Sequence, residues 1–323
     1  GAEGLVRAVE ADIVVAAMVG LAGLPATLAA VDLGRTVALA NKETLVAAGA
    51  LVMERLVHAG GRGRLVPIDS EHAALWQCLM ANPKAGRGEC PARLGESAGV
   101  TRAILTASGG PFRTWTKPRI DAATPAEALK HPTWTMGRKV TIDSASLMNK
   151  ALEVIEAHWL FGLPGEKLGV LVHPQSVVHA MAEFEDGSTV AQLAPPDMRL
   201  PIQRALTWPM CGAGISKGVD WTTLRTLEFE VPDLERFPAL GLAYWAIEAG
   251  GTAGAIVNAA NEEAVRAFLD ANGRMPFGEI TQLVMEAAQS VPVRAVTTLH
   301  DVLEADAAAR GCVAERLGRA ARR

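Results

Sequence analysis

Asp69 and Glu71 stand two residues apart in PIDSEH, residues 67–72, where a short apolar run gives way to a helical pattern. Ser70 lies between them and His72 follows. Two carboxylates at the end of a strand either cap the next helix or supply most of a metal site. A second IDS, at 142–144, is followed by Asn149, Lys150, Glu153 and Glu156. Positions three and four apart share a helix face, so Asn149, Glu153 and Glu156 line one side, with Lys150 beside Glu153. Glu153 could close a site with Asp69 and Glu71. Three carboxylates, with substrate oxygens or water completing the shell, suit a hard divalent cation such as Mg²⁺ or Mn²⁺. Spacing alone favours the plainer alternative, a solvated helix face.

The same stretches are rich in donors for an anion. Ser108 lies where a strand meets Gly109-Gly110, and Ser144 where an expected strand meets a helix N-terminus. Such places offer free backbone N–H groups and a favourable dipole. Asn149 and Lys150 follow one turn later, although a serine in such a position is more often a helix cap. Lys42, in ANKE, is either a surface lysine or a ligand-facing one, because α/β folds bind ligands at the carboxyl ends of their parallel strands. No G-x-G-x-x-G turn accompanies these residues. GGRGRL at 60 lacks the third glycine, and GAGISKG at 212 follows TWPMC rather than a strand, so it reads as a loop.

The elements that must position these groups alternate between strand and helix. DIVVAAMVG feeds a helix at Pro25. Arg35–Leu39 leads into a helix over Glu43–Ala59, and GRLVPIDSEH into one over Glu71–Met80. Continuous apolar strands between helices predict a parallel sheet covered on both faces. Asn82–Val100 reads as a Pro/Gly-rich connector, and RAILTAS as a strand ending at Ser108. Residues 109–137 read as an irregular stretch with several prolines, the length of a functional lid. KVTID reads as a short strand before a helix that starts near Ser144 and stops at Gly162. VLVHPQSVVHAMAEFEDGSTVAQL alternates like antiparallel strands turning at Asp186-Gly187. Trp208–Leu234 is a linker, and an Ala-rich helical pattern runs from Pro238. The chain opens on Gly1 inside a helical pattern, GLVRAVEA, which points to a truncated or processed N-terminus.

Composition narrows the function classes. A chain of 323 residues exceeds one ordinary core, so two or three domains are expected. A net charge of −4, with basic residues concentrated only over Arg316–Arg323, argues against a nucleic-acid partner. Ile13–Val31 carries no charge over nineteen residues, but Gly20, Gly23 and Pro25 interrupt it. A buried strand, turn and helix fit it better than a membrane span. Cys78, Cys90, Cys211 and Cys312 form no C-x-x-C pair, as expected of free thiols in a reducing cytoplasm.

ALANKETLV, PIDSEHAALWQCL, ASGGPFR, HPTWTMGRKVTIDSASLMNKALEVIEAHWLF, HPQSVVHA and NAANEEAV together resemble the 1-deoxy-D-xylulose 5-phosphate reductoisomerases. The resemblance extends over essentially the whole chain. The family's glycine-rich NADPH turn is the part without a counterpart here. The resemblance implies an α/β fold made of a partial Rossmann-like parallel sheet, an α/β catalytic domain with a flexible flap, and a small helical C-terminal domain. The implied segments are residues 1–68 for the remaining NADPH-binding part, 69–207 for catalysis and metal binding with the flap at 109–137, 208–234 as linker, and 235–323 as the helical domain.

The resemblance also implies an activity: NADPH-dependent conversion of 1-deoxy-D-xylulose 5-phosphate to 2-C-methyl-D-erythritol 4-phosphate in non-mevalonate isoprenoid biosynthesis. It makes Asp69, Glu71 and Glu153 ligands of Mg²⁺ or Mn²⁺. Ser108, Ser144, Asn149 and Lys150 become phosphate contacts, and Lys42, Ser70 and Glu71 contacts to the substrate backbone. Lys42, Glu71 and His131 take catalytic roles, and His131 and Trp134 lie on the closing flap. Asn41, Glu43 and Gly137 become NADPH contacts, and Glu156 stands behind the metal helix face. A sugar phosphate, a second copy of the chain and a cytoplasmic location complete the implied set, with no membrane and no nucleic acid. Two other readings stay open on the residues: a metal-independent NADP-dependent dehydrogenase and a folded non-catalytic fragment.

Overall fold

The apolar runs at the start of the chain become short parallel strands. In the computed structural model, which describes residues 1–59, 64–82, 99–210, 212–271 and 274–320, β1 (Ile13–Ala16), β2 (Thr36–Leu39) and β3 (Arg64–Pro67) form one sheet in the order β1-β2-β3. Ile13 pairs with Thr36 and Leu39 with Pro67. The connector residues 83–98, the first part of GGRGRL, Cys90, Cys211 and the end of the basic tail lie outside the described residues. Helix α1 (Ala2–Ala8) precedes the sheet, and α2 (Leu24–Asp32) follows β1 with Pro25 in its first turn, where a missing N–H costs nothing. Helix α3 (Glu43–His58) follows β2, and α4 (Ser70–Met80) follows β3.

Contacts divide the chain into two compact units. The first holds Gly1–Leu45, Gly49–Ala107 and Glu156–Glu230; the second holds Val46–Ala48, Ser108–Ile155 and Val231–Arg323. Neither follows the order of the four segments expected from the sequence. In the first unit a second sheet has the order β5-β4-β6-β7, built from β4 (Val100–Ala107), β5 (Leu168–Val172), β6 (Val178–Phe184) and β7 (Thr189–Leu193). The Asp186-Gly187 turn joins the antiparallel pair β6–β7 as expected, with Gly187 at φ +82°. VLV at 170–172, however, runs parallel to β4 rather than antiparallel within the hairpin series. Helix α4 packs on this sheet and buries Leu75, Trp76 and Leu79 completely. Fully burying a leucine is worth roughly 1.5–3 kcal/mol, so α4 is firmly seated and its first turn, which carries Ser70 and Glu71, is held with it.

In the second unit the stretch 109–137 is not irregular throughout. It contains α5 (Lys117–Asp121) and α6 (Pro125–Ala128), the latter started by a capping box between Thr124 and Glu127. KVTID is not a strand either. Arg138–Ala145 forms α7, and α8 (Met148–Phe161), whose residues from Glu156 onward belong to the first unit, follows after Ser146 and Leu147. The β-branched residues misled the reading of local preference. Burial of Thr141 and Ile142, and a bond from Thr141 Oγ1 to Gly137 O at 3.0 Å, favour the helix instead. From Pro238 onward the unit is helical as expected, with α10 (Gly241–Ala249), α11 (Ala253–Asp270), α12 (Gly278–Ser290) and α13 (Leu299–Ala320); α9 (Arg199–Thr207) belongs to the first unit. Among the described residues no helix is long and apolar enough to cross a membrane.

Candidate active site

In the first unit the cluster is built at the carboxyl ends of β2 and β3. Asp69 is the N-cap residue of α4, yet its side chain makes no capping hydrogen bond. It pairs instead with Lys42 Nζ at 2.5 Å, both side chains being mostly buried. The capping explanation of Asp69 therefore fails, and a carboxylate is left facing the ends of the strands. Ser70 Oγ donates to Glu71 Oε2 at 2.6 Å, which fixes the direction of the second carboxylate. Asn41 is committed to shaping the loop below: Nδ2 donates to Met18 O and to Gly20 O, and Oδ1 accepts from Thr44 N at 3.1 Å at the start of α3. Glu43, in the first turn of α3, is buried.

A pair that the sequence reading underweighted sits against Asp69. His72 Nδ1 lies 3.4 Å from Glu156 Oε2, both groups are essentially inaccessible to solvent, and the imidazole stacks on Phe161. One ligand atom each from Asp69, His72 and Glu156 fall within 4.8 Å of one another. The signal was present: a histidine beside Glu71, and a glutamate inside the apolar run ALEVIEAHW. A helix-face count places Glu156 but gives no sign that its partner comes from another segment.

In the second unit His131 gathers the serines. Its Nε2 lies 2.9 Å from Ser108 Oγ and 3.1 Å from Ser144 Oγ. Its Nδ1 accepts from the backbone N–H of Thr133 at 3.1 Å and of Trp134 at 2.8 Å. Two N–H groups aimed at Nδ1 require that atom to be unprotonated, so the proton of the neutral ring sits on Nε2. Burial pushes the imidazole below its ordinary pKa in the same sense. Ser108 Oγ also accepts from Gly110 N at 3.2 Å. A hydroxyl that accepts these bonds keeps its own hydrogen to donate, so the two serine hydroxyls, gathered by the imidazole, form a donor set suited to an anion.

Ser144 lies in the last turn of α7, not at the helix N-terminus expected for it. The helix start in this region belongs to α8, whose first turn carries Asn149 and Lys150. Asn149 Nδ2 and Lys150 Nζ each donate to one oxygen of Glu153, which is 1 % exposed. Gly137 is the exposed N-cap of α7, with no neighbour near its missing Cβ, and Trp134 is half-buried on the segment that precedes it.

Family models match three stretches: "1-deoxy-D-xylulose 5-phosphate reductoisomerase" over residues 1–49, its C-terminal domain over 65–161, and the "DXP reductoisomerase C-terminal domain" over 193–312. The 1-deoxy-D-xylulose 5-phosphate reductoisomerase of Chlorobium limicola is 49 % identical over 98 % of this chain and 79 % of its own length. That of Xanthomonas oryzae pv. oryzae is 52 % identical over 93 % of this chain and 72 % of its own. The solved reductoisomerase of Zymomonas mobilis in complex with NADPH superposes with a TM-score of 0.86 at 45 % identity, covering 98 % of this chain and 78 % of that one. A reductoisomerase solved with NADPH, fosmidomycin and magnesium gives 0.88 at 37 % identity over the same shares. Extensive identity, the fold and the matched motifs agree, and the chain belongs to the 1-deoxy-D-xylulose 5-phosphate reductoisomerase family.

Proposed function

We propose that this chain binds 1-deoxy-D-xylulose 5-phosphate and, with NADPH, converts it to 2-C-methyl-D-erythritol 4-phosphate. The observation that carries the reading is the donor set in which His131 holds the Ser108 and Ser144 hydroxyls together, a cradle for the phosphate that Asn149 and Lys150 extend. Asp69, Glu71 and Glu153 are the proposed ligands of Mg²⁺ or Mn²⁺. Their donor set fits such an ion: all are carboxylate oxygens, and Asp69 already draws a cation, Lys42, to itself. When bound, the ion supplies electrophilic pull on neighbouring hydroxyl and carbonyl oxygens, and NADPH supplies the hydride that reduces the rearranged aldehyde.

The chain's own residues do the rest. Lys42, held as an ammonium by Asp69, offers a fixed positive charge to an oxygen that turns anionic as the carbon skeleton rearranges. Glu71, oriented by Ser70, takes or returns a proton at a substrate hydroxyl. His131 ties the backbone of 133 and 134 to the phosphate cradle, so substrate binding and closure of the 109–137 segment, which carries Trp134, are linked, and water is kept from the aldehyde. Asn41 and Glu43, in a Rossmann-like part spanning 1–68, and Gly137, at the end of the 109–137 segment, are the proposed NADPH contacts. The catalytic part spans 69–207 and the helical part 235–323, joined by 208–234. A homodimer in the cytoplasm completes the proposal.

Mn²⁺ titration followed by electron paramagnetic resonance, with and without the sugar phosphate, tests the reading beside an NADPH-oxidation assay. Saturable binding that tightens with the sugar phosphate is the expected result. Turnover with the metal chelated away would transfer support to a metal-independent dehydrogenase. A folded chain that binds neither Mn²⁺ nor the sugar phosphate would be a non-catalytic fragment.

A further inference from the structure

Next to the phosphate cradle, the second unit contains a buried polar contact between distant parts of the sequence. Asn261, on α11, donates from Nδ2 to Asp143 Oδ1 at 2.9 Å across a separation of 118 residues. Both side chains are almost wholly buried. Lys139, one turn earlier on α7, meets Asp143 Oδ2 at 3.0 Å. Asn261 Oδ1 is buried without a hydrogen-bond partner among the described residues. An unpartnered buried acceptor costs stability, which an apolar side chain of similar size would avoid. What this position contributes is therefore its donor.

Asp143 immediately precedes Ser144 on a helix of only eight residues. A helix this short has little stability of its own, so tertiary anchors set its rotation. Successive helical residues point about 100° apart, and fixing Asp143 toward α11 thus fixes the direction in which Ser144 leaves the helix. The rotation matters because Ser144 Oγ has a single point of approach to His131 Nε2, at 3.1 Å.

We propose that Asn261 is a positioning residue for the phosphate cradle: through Asp143 it sets the rotation of α7 that brings Ser144 Oγ to His131. This rests on the reading that Ser108, Ser144, Asn149 and Lys150 bind the phosphate. The test measures inhibition by inorganic phosphate, KM and kcat for the sugar phosphate, and Mn²⁺ affinity in N261A, S144A and the reciprocal pair D143N/N261D. The pair restores the hydrogen bond with donor and acceptor exchanged.

In N261A the phosphate inhibition constant and KM rise about tenfold, as for loss of one charge-assisted bond, while kcat and Mn²⁺ affinity stay near wild type. The reciprocal pair recovers phosphate binding. Unchanged phosphate inhibition in N261A overturns the inference, as does an equal loss of phosphate and Mn²⁺ binding. If N261A does not fold, the reciprocal pair decides: folded with wild-type phosphate binding supports the inference, and folded with weak binding overturns it. Failure of both variants to fold makes the contact structural and overturns it too. S144A separates this inference from its premise. If S144A leaves phosphate inhibition unchanged, the cradle itself is wrong; if S144A weakens it and N261A does not, only the role of Asn261 falls.

Discussion

Replacing Gly110 with alanine isolates what holds the proposed phosphate cradle together. Gly110 sits at φ +62°, and a Cβ there would stand 2.7 Å from Ser144 O and 3.1 Å from Ala145 Cα. The left-handed conformation costs an L-residue roughly 1–2 kcal/mol. Forcing a methyl against packed backbone costs typically 1–3 kcal/mol more, so G110A should lose about 2–5 kcal/mol of stability. Because the clash falls on the carbonyl of Ser144, relief requires α7 and Gly110 to separate, which shifts Ser144 relative to Ser108 and His131. Losing one hydrogen bond to a charged phosphate removes about 1.5–3 kcal/mol of binding, which is roughly 10- to 150-fold in affinity. Gly187 is the control: it lies at φ +82° with nothing near its missing Cβ. G187A therefore bears only the dihedral cost, about 1–2 kcal/mol, and leaves phosphate binding alone. Urea unfolding and competition by inorganic phosphate measure the two effects. A G110A protein with the phosphate affinity of wild type would refute the claim that this close approach sets the position of Ser144.

D69N should weaken Mn²⁺ binding by more than about tenfold and leave Lys42 without its 2.5 Å partner, so an electron-paramagnetic-resonance titration identical to wild type would remove Asp69 from the ligand set. The folded pKa of His131 lies below the ordinary value near 6.5, so between the two values the unfolded chain binds more protons. Stability from this group is thus full above about 6.5 and declines as pH falls through the folded value; H131N should lose that component of the pH 7.5 to 5.5 difference in urea midpoint, and an unaltered difference would count against it. Burial pushes the Cys78 thiol up to about 12. Alkylation at about pH 8 followed by peptide mass mapping should find Cys78 unmodified until the protein is denatured, and rapid native labelling would contradict its burial.

The parallel sheet was legible because β1, β2 and β3 are unbroken apolar runs with their helices directly behind them, and Pro25 marks the start of α2. The carboxylates could be found in PIDSEH, but whether Asp69 caps its helix or faces a partner could not. That depends on Lys42, which arrives from the end of a neighbouring strand. The strand assigned to KVTID failed because local preference for β-branched residues was outweighed by the burial of Ile142 and the hold of Asn261 on Asp143. His131 could be placed on the proline-rich 109–137 stretch, but its bridge between Ser108 and Ser144 joins segments 23 and 13 residues away, beyond the reach of any periodicity.

The interleaved order of the two units bears on how the chain emerges from a ribosome. Among the described residues the neighbours of the apolar strand β4 are β5 and β6, and the first unit runs on to Glu230. At 5–20 residues per second, the stretch from Ala107 to Phe184 takes roughly 4–15 s to synthesise. For most of that interval VTRAILTA has neither neighbouring strand to pair with, and a β-rich apolar segment left waiting is a template for aggregation. Chaperones that shield this strand during synthesis should therefore raise the yield in a cell without any change in the stability of the finished protein.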